Sequence, residues 1–414
     1  MVVETAVRAA MTSLGAQLLE ELLSGDAGHR GPRVDCGAGH EAGFVGYRTK
    51  TIDTVLGRIA VRRVYYHCAA CGRGVVPRDV QLDITGESLS PGLRAMTARA
   101  GTAVPFAQAA GLLADLAGIT LTTKRVERAA EAEGAAATAA QADRTREILA
   151  GRLVPPPPPA PAADMLYLAV DGTGLPMRAS ETTGRTGKGP DGRARTREAK
   201  LAALFTQTHT NDDGYPIRDP DSTSYLATLD PVEHFADLLQ AEARRRGAEH
   251  IRQLVVIGDG ARWIWNLADQ HFPAATQIVD LYHAREHLHE LAELLAFIVP
   301  DPAGWLHDRL TDLDNGDIEA ISHAARRYDL VGSKAVEVDK AVAYFETNAH
   351  RMRYAYYRKL GMFVGSGVVD AGCKTVLGAR LKRSGMHWSA PGATAITTLR
   401  CHHASQPCNQ PAAA

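Results

Sequence analysis

Two apolar runs, each ending in aspartate and glycine, decide the fold: Met165-Leu-Tyr-Leu-Ala-Val-Asp171-Gly172 and Leu254-Val-Val-Ile-Gly-Asp259-Gly260. Short apolar runs bounded by glycine are typical of strands buried on both faces of a sheet. Carboxylates at the carboxyl ends of adjacent strands converge at one edge, where α/β proteins gather their ligands. The sequence therefore predicts an α/β protein with an acidic site built from Asp171 and Asp259.

Further elements surround these two runs. Strands are predicted at 200–208 and 224–229, a helix at 230–247, a helix around 263–271, and a strand at 276–283 that enters another helix. The elements follow one another as three strands, a helix, a strand, a helix and a strand. This is the order found in a ribonuclease-H-like mixed sheet. Alternation of buried strands with helices supports the α/β class in any case.

The paired aspartates predict a divalent cation. Two close carboxylates repel each other unless a cation neutralises them, and hard oxygen donors suit Mg²⁺ or Mn²⁺. Two such ions about 4 Å apart can activate an attacking hydroxyl and stabilise a leaving oxygen in phosphodiester chemistry. The alternative is that each Asp-Gly pair is a turn that ends its strand.

A second metal site is predicted near the N-terminus. The segment 54–74 has the β-branched and aromatic content of a hairpin that ends in a knuckle, Cys68-Ala-Ala-Cys71. Cys36 and His40 upstream supply two more donors, so the four can form the tetrahedral set that structural Zn²⁺ requires. The alternative is a C-x-x-C motif that binds no metal.

The chain divides into segments of different composition. We predict an N-terminal helix (1–30), a zinc-ribbon-like domain (31–88), a helical DNA-binding domain that begins at Ser90-Pro91 (89–150), a proline-rich linker (151–163), a catalytic core (164–290), a helical insertion (291–360), and the core's C-terminal helix and tail (361–414). The sequence thus predicts a mixed-sheet core with a helical insertion, preceded by zinc-ribbon-like and α-helical regions.

Composition narrows the class of protein. Hydrophobic residues make up 45% of the 414 and charged residues 22%, an ordinary globular balance. We expect no membrane span and a cytoplasmic, nucleoid-associated location, since no long uncharged apolar run occurs and the N-terminus lacks the pattern of a signal peptide. The formal net charge of −1 excludes a uniformly basic surface but permits local basic patches that contact nucleic acid.

Several longer motifs together resemble a known family. They are Asp171-Gly-Thr-Gly-Leu-Pro-Met177, Thr196-Arg-Glu-Ala-Lys200, Ser222-Thr-Ser-Tyr225, Val256-Ile-Gly-Asp-Gly-Ala-Arg-Trp-Ile-Trp265, Asp280-Leu-Tyr-His-Ala-Arg-Glu-His287, Arg351-Met-Arg-Tyr354, Gly365-Ser-Gly-Val-Val-Asp-Ala-Gly-Cys-Lys374, Arg380-Leu-Lys382 and Gly385-Met-His-Trp388. In combination they resemble insertion-sequence transposases of the ISKra type, over nearly the whole chain. The resemblance implies a DDE-type, ribonuclease-H-like nuclease core that acts on double-stranded DNA, at the terminal inverted repeats and the target, as a homo-oligomer.

The resemblance also implies a third acid, Asp370, as a metal ligand beside Asp171 and Asp259. Members of the family carry glutamate there, and aspartate is one methylene shorter, so a metal could be misplaced. A shift of about 1 Å can cost on the order of a hundredfold in rate. Two alternatives follow: a catalytically decayed or domesticated DNA-binding protein, and a related nuclease without strand transfer.

Other residues are candidates for contact with DNA. Asp280-x-x-His283 resembles the (C/D)-x-x-H signature of Mutator-like transposases, and His283 could position a phosphate or move a proton. A metalloprotease is disfavoured because the order His-Ala-Arg-Glu-His lacks glutamate directly after the first histidine. The tryptophans Trp263 and Trp265 are predicted to stack on an unpaired base, the alternative being core packing. Contact with phosphates is predicted for the basic residues Arg351, Arg353, Arg380, Lys382 and Arg383.

Overall fold

The computed structural model describes residues 2–156, 163–187 and 192–405. The chain forms two compact units, Met1–Glu133 and Gly134–Ala414, which divide within one long helix. The predicted linker lies further along the chain, and its residues 157–162 are outside the described residues. No helix in the described part of the chain is both long and apolar enough to cross a membrane.

The first unit combines a four-stranded antiparallel sheet with helices. The strands, in the order β1-β2-β3-β4, are β1 (Arg33–Asp35), β2 (Glu41–Thr54), β3 (Gly57–His67) and β4 (Gly74–Val75). The helices are α1 (Val2–Gly25), α2 (Pro77–Gln81), α3 (Pro91–Ala103), α4 (Phe106–Leu112), with a π-helical turn at Leu113–Ala117, and α5 (Thr123–Leu149), which continues into the second unit.

The predicted start of α3 is confirmed. The segment 54–74 forms β3 and the start of β4, whereas the long hairpin pairs β3 with β2, which precedes that segment. β2 and β3 pair antiparallel from Gly43 and His67 to Thr54 and Gly57. β-branched side chains on this hairpin, Ile52, Ile59 and Val61, are buried together with Ile84. Ser90 caps α3 by accepting a hydrogen bond from the Leu93 amide, with Pro91 at the first helical position, the pairing of residues that a helix start favours.

The second unit is built on a mixed five-stranded sheet, as the sequence predicted. Its strands, in the order β11-β10-β5-β6-β9, are β5 (Met165–Pro176), β6 (Thr196–Gln207), β9 (Ser224–Thr228), β10 (Gln253–Gly258) and β11 (Thr276–Val279). β5, β10 and β11 run parallel, while β6 is antiparallel to both β5 and β9. A small hairpin joins β7 (His209–Thr210) to β8 (Pro216–Ile217).

Helices surround this sheet and fill the segment after it. They are α6 (Val232–Arg245), α7 (Arg262–His271), α8 (Leu281–Leu295), α9 (Pro302–Asn315), α10 (Ile318–Arg326), α11 (Ser333–Asn348), α12 (Tyr354–Lys359), α13 (Gly367–Gly372), α14 (Ala379–Leu381) and α15 (Ala390–Ala404). Short 3₁₀ turns lie at Ala179–Glu181 and Ala349–Arg351, and a π-helical turn lies at Cys373–Gly378. α13 packs against β5 and β6.

An aromatic cluster joins the sheet to the chain that enters α13. Tyr167 of β5 and Phe205 of β6 stack with ring centroids 4.9 Å apart, and Phe363 meets both rings edge-on. The buried Tyr167 hydroxyl donates to Gln207 Oε1 (2.6 Å) and accepts from the Phe363 amide (3.2 Å). Each aromatic pair contributes about 0.5–1.5 kcal/mol beyond its buried area, so Phe363 is held against the central strands.

Candidate functional site

Asp171 and Asp259 lie side by side at one edge of the sheet. β5 and β10 are parallel neighbours in which Ala169 pairs with Ile257, and each aspartate comes two residues after its member of that pair. Asp259 directly follows β10, whereas Asp171 lies within β5, which continues to Pro176. The matched register of the two strands brings the two carboxylates to one level.

The Asp171 carboxylate is half-buried and held by two donors. The Gly172 amide donates to Oδ1 (2.6 Å), and the Cys373 thiol donates to Oδ2 (3.1 Å). Burial raises the pKa of Asp171, and the nearby Asp259 charge raises it further, whereas the two hydrogen bonds and His283 lower it. Partial desolvation and a neighbouring like charge both destabilise the ionised Asp171 carboxylate. A bound cation would offset this destabilisation.

The backbone around Asp259 is fixed from two directions. Its Oδ1 accepts from the Ala261 amide (2.8 Å), and its carbonyl accepts from the Tyr344 hydroxyl (2.9 Å) of α11. Gly260 has φ +100°, and a Cβ there would lie 2.6 Å from the Tyr344 ring. Glycine is therefore required both by the left-handed backbone and by the close approach of the tyrosine.

Asp370 lies on α13 and is paired with a lysine. Lys374 Nζ donates to Asp370 Oδ2 at 2.7 Å, one helical turn later, and about half of the Asp370 side chain is exposed. Burial raises the pKa of the Cys373 thiol, and the charges of Asp171 and Asp370 raise it further. Cys373 thus lies within electrostatic reach of both acids. Within the described ranges, however, the three aspartates do not bring their ligand atoms within 4.8 Å of one another.

Asp280 organises the start of α8 and the loop before α13. It is almost fully buried, and its Oδ1 accepts from the amides of Tyr282 (2.6 Å) and His283 (3.1 Å). Its Oδ2 accepts from the Ser366 amide. In the Asp280-x-x-His283 motif the aspartate is therefore a helix cap that also ties residue 366 to α8. His283 Nδ1 lies 3.2 Å from Glu286 Oε2. The electrostatic effect of His283 extends to Asp171, whose pKa it lowers.

Cys36, His40, Cys68 and Cys71 converge in the first unit. One donor atom from each lies within 4.8 Å of the others. Cys36 Sγ and Cys71 Sγ are 3.8 Å apart, which equals the edge of a tetrahedron with zinc–sulfur bonds of about 2.3 Å. A backbone hydrogen bond from Cys71 lowers the pKa of Cys68. This Cys₃His group could hold a zinc ion.

Three of the residues predicted to contact DNA are buried, and for Trp265 this is the core packing given as the alternative. Trp265, Arg351 and Arg380 are 5%, 8% and 0% exposed. The Arg351 guanidinium lies 4.7 Å from the centre of the Trp265 ring and donates to Gln277 Oε1 (2.7 Å). Burial lowers the pKa of Arg380 to about 10, and its guanidinium lies over Trp388. In this structure these three side chains therefore contribute to packing rather than to the exposed surface.

The other four predicted contacts differ in position. Arg353, Lys382 and Arg383 are exposed. Lys382 Nζ donates to the hydroxyl of Thr173, which follows Asp171 on β5, so its ammonium lies beside the acidic edge. Trp263 is half-buried, with its ring against Phe235 and Lys200 Nζ 5.8 Å from its centre.

Two residues that contact the acidic pair, Cys373 and Tyr344, are not among those predicted from the sequence. Cys373 occurs inside a motif already quoted, three residues after Asp370, but nothing in the sequence places its thiol on Asp171. Tyr344 is 85 residues from Asp259, in a helix whose sequence carries no signal for this contact.

The fold and site define an α/β protein with an acidic pair at the edge of a mixed sheet and a separate Cys₃His group. No protein-family profile matches the chain, and no curated protein matches it. Among solved structures, one similar chain comes from a "Drosophila P element transposase strand transfer complex", at 12% identity and a TM-score of 0.18. That alignment covers 59% of this chain and 65% of the other. A likeness of this size carries no argument about fold or function.

Proposed function

We propose that the chain is a metal-dependent DNA transposase of the DDE type, which cleaves a strand at the end of an insertion sequence and joins the freed 3′-hydroxyl to target DNA. The observation that carries the proposal is the placement of Asp171 and Asp259 at one level on adjacent parallel strands. The motif resemblance supplies the substrate class.

A ribonuclease-H-like core is part of the proposal. Numbered by their order along the chain, the five strands lie in the sheet as third, second, first, fourth and fifth, with the first, fourth and fifth parallel. This arrangement supports the order of elements expected for that fold. Helices α9 to α12 then correspond to the proposed insertion before the last acid.

The acidic edge suits Mg²⁺ or Mn²⁺. Its donors are carboxylate oxygens, the hard ligands these ions prefer. Burial, and after it the nearby Asp259 charge, raises the pKa of Asp171. Asp171 and Asp259 would hold the metal, with Asp370 as the third ligand once it leaves Lys374. The bound metal would supply Lewis-acid activation of a hydroxyl and stabilisation of the leaving oxygen.

The chain's own groups prepare this site. The Cys373 thiol and the Gly172 amide orient the Asp171 carboxylate, while Tyr344 fixes the backbone of Asp259. Lys382 is exposed beside Thr173 and would contact a DNA phosphate. His283, held by the Asp280 cap, would position a phosphate or accept a proton.

The first unit would recognise the terminal repeats. A zinc ion in the Cys₃His group would fix the knuckles of the β1–β2 turn and of residues 68–71 relative to each other. Bringing two element ends together requires at least two copies of the chain. We propose a cytoplasmic, nucleoid-associated location for this DNA-bound assembly.

The ion pair between Asp370 and Lys374 favours a second candidate, a decayed transposase that binds DNA without cutting it. An aspartate that stays with Lys374 would leave the metal site with two acids. A nuclease without strand transfer would have the same site, so joining must be measured separately from nicking.

The test is Mg²⁺-dependent nicking and joining of DNA that carries the element's flanking repeats. Asp259→Asn should abolish both reactions while leaving DNA binding intact. Asp237→Asn removes the same charge from an exposed position on α6 and should retain activity. Equal activity in wild type and Asp259→Asn would exclude the proposed site, and binding without cleavage in every variant would favour the decayed transposase.

A further inference from the structure

Helix α1 has two apolar faces, and one of them packs inside its own unit. Ala16, Leu19 and Leu23 lie against the hairpin cluster of Ile52, Ile59, Val61 and Ile84. Glu20 on the same side accepts a hydrogen bond from the Ala60 amide (2.8 Å). These contacts attach the C-terminal half of the helix to β3.

The other face carries six exposed apolar side chains, called here the α1 stripe. Its members are Val3 (74% exposed), Val7 (57%), Met11 (64%), Leu14 (50%), Leu18 (51%) and Leu22 (75%). At about 100° per residue, all six fall within an arc of about 100° on the side away from the hairpin. Single exposed apolar residues are ordinary, but a continuous row of this length marks an interaction surface.

The spacing of the α1 stripe is symmetric. Its steps are four, four, three, four and four residues, so the stripe reads the same in both directions about the midpoint between residues 12 and 13. Val3 and Leu22, Val7 and Leu18, and Met11 and Leu14 are equidistant from that midpoint. Steps of four and three residues keep the row on one side of the helix, which is the condition for a second helix to pack along it.

We propose that the α1 stripe is a two-fold symmetric dimer interface, in which α1 of one copy packs antiparallel against α1 of a second copy. A two-fold interface uses the same patch on both copies and requires that patch to be self-complementary. Antiparallel pairing about the midpoint places every stripe residue opposite another stripe residue. A different partner protein would not require the symmetry.

Charge and area are consistent with a second copy. No charged residue lies inside the stripe, and Glu4 and Glu21 lie on opposite margins. In an antiparallel two-fold pair, each margin of the stripe faces the same margin on the second copy. Glu4 and Glu21 lie on different margins, so neither faces the other across the interface. The six side chains offer on the order of 600 Å² per copy, hence roughly 1,200 Å² in total, at the lower end of stable interfaces.

The experiment measures the association of the full chain by sedimentation velocity, without DNA. Wild type should be dimeric, and Leu14→Glu or Met11→Lys alone should weaken dimerisation by about a hundredfold, because a charge enters an apolar seam at two symmetric places. Ser13→Glu lies off the stripe and should leave the dimer unchanged. Unchanged far-ultraviolet circular dichroism and zinc content confirm that each variant is folded.

Mixing the two charged variants tests the direction of pairing. Leu14→Glu with Met11→Lys should form a heterodimer, because antiparallel pairing sets residue 14 opposite residue 11. Rescue by Leu14→Lys instead would mean that the helices pair in parallel and would overturn the proposed arrangement. A monomeric wild type, or a dimer indifferent to Leu14→Glu, would overturn the interface itself. None of these outcomes depends on transposase activity.

Discussion

At the scale of single residues, the acidic edge places conflicting demands on Asp171. Burial and the Asp259 charge favour its protonated form, while the Cys373 thiol and the Gly172 amide favour the carboxylate. Burial is the largest of these effects, so the pKa is raised in the folded chain. The ionised Asp171 carboxylate therefore carries a cost in stability, which a bound cation would relieve if the proposed metal site is correct.

This cost gives the first prediction. Because the folded-state pKa of Asp171 is raised, its contribution to stability is present below the unfolded pKa and is lost as pH rises through the folded value. Asp171→Asn should therefore raise the melting temperature at neutral pH without divalent metal, on the order of 2–4 °C. The difference should shrink in acid, where Asp171 is protonated. A melting temperature at neutral pH below that of wild type would contradict this reasoning.

The second prediction concerns the length of the third acid. Asp370→Glu should increase Mg²⁺-dependent cleavage, because the added methylene lets the carboxylate reach further while keeping its charge. The expected gain is about tenfold or more, since a misplacement of about 1 Å can cost on the order of a hundredfold. Asp370→Asn is the matched control and should be inactive. An unchanged or lower rate for Asp370→Glu would show that side-chain length is not the defect.

At the scale of elements, caps and close contacts set the position of the site. Asp280 joins the first turn of α8 to Ser366, which immediately precedes α13, the helix of Asp370. Tyr344 joins α11 to Asp259, and Gly260 leaves room for the tyrosine ring. The acids are thus positioned by segments that are far apart in the sequence.

The third prediction follows from the double role of Asp280. Asp280→Ala should lower the free energy of unfolding by about 1 kcal/mol through loss of the helix cap. It should lower it by a further ~1–3 kcal/mol because the buried Ser366 amide loses its acceptor. Asp301→Ala removes the cap of α9, where the aspartate accepts from Gly304 in an exposed position, and should cost about 1 kcal/mol. Urea unfolding measures both, and equal losses would contradict the bridging role of Asp280.

At the scale of the whole molecule, the chain carries two groups of candidate metal ligands that differ in their donor atoms. The Cys₃His group uses sulfur and imidazole donors, which suit zinc, whereas the acidic edge offers carboxylate oxygens, which suit magnesium. A small antiparallel sheet such as β1–β4 gains stability from a metal that crosslinks its turns.

The fourth prediction tests the zinc site. The purified chain should contain one zinc ion, and Cys68→Ser should lose it and lower the melting temperature of the chain. Cys401→Ser changes a buried cysteine outside the group and should retain the metal. Metal content by inductively coupled plasma mass spectrometry decides the matter. Equal zinc content in wild type and Cys68→Ser would show that the group is not the ligand set.

Sequence by itself determined the local elements and the residue types of both sites. The strands at 165–170 and 254–258, strand β3 and the start of α3 followed from apolar periodicity, β-branched content and capping residues, because these preferences act within a few residues. The Cys₃His group was predicted from ligand spacing, since zinc coordination restricts the residue types and their separation.

Tertiary structure alone decided which side chains meet and which are buried. The thiol of Cys373 on Asp171, Tyr344 on Asp259 and Asp280 on Ser366 join residues 202, 85 and 86 positions apart. The burial of Trp265, Arg351 and Arg380 likewise depends on packing between elements, which the local sequence does not encode. Residue type and periodicity specify an element and its chemistry, but contacts across the fold arise from the packing of the whole chain.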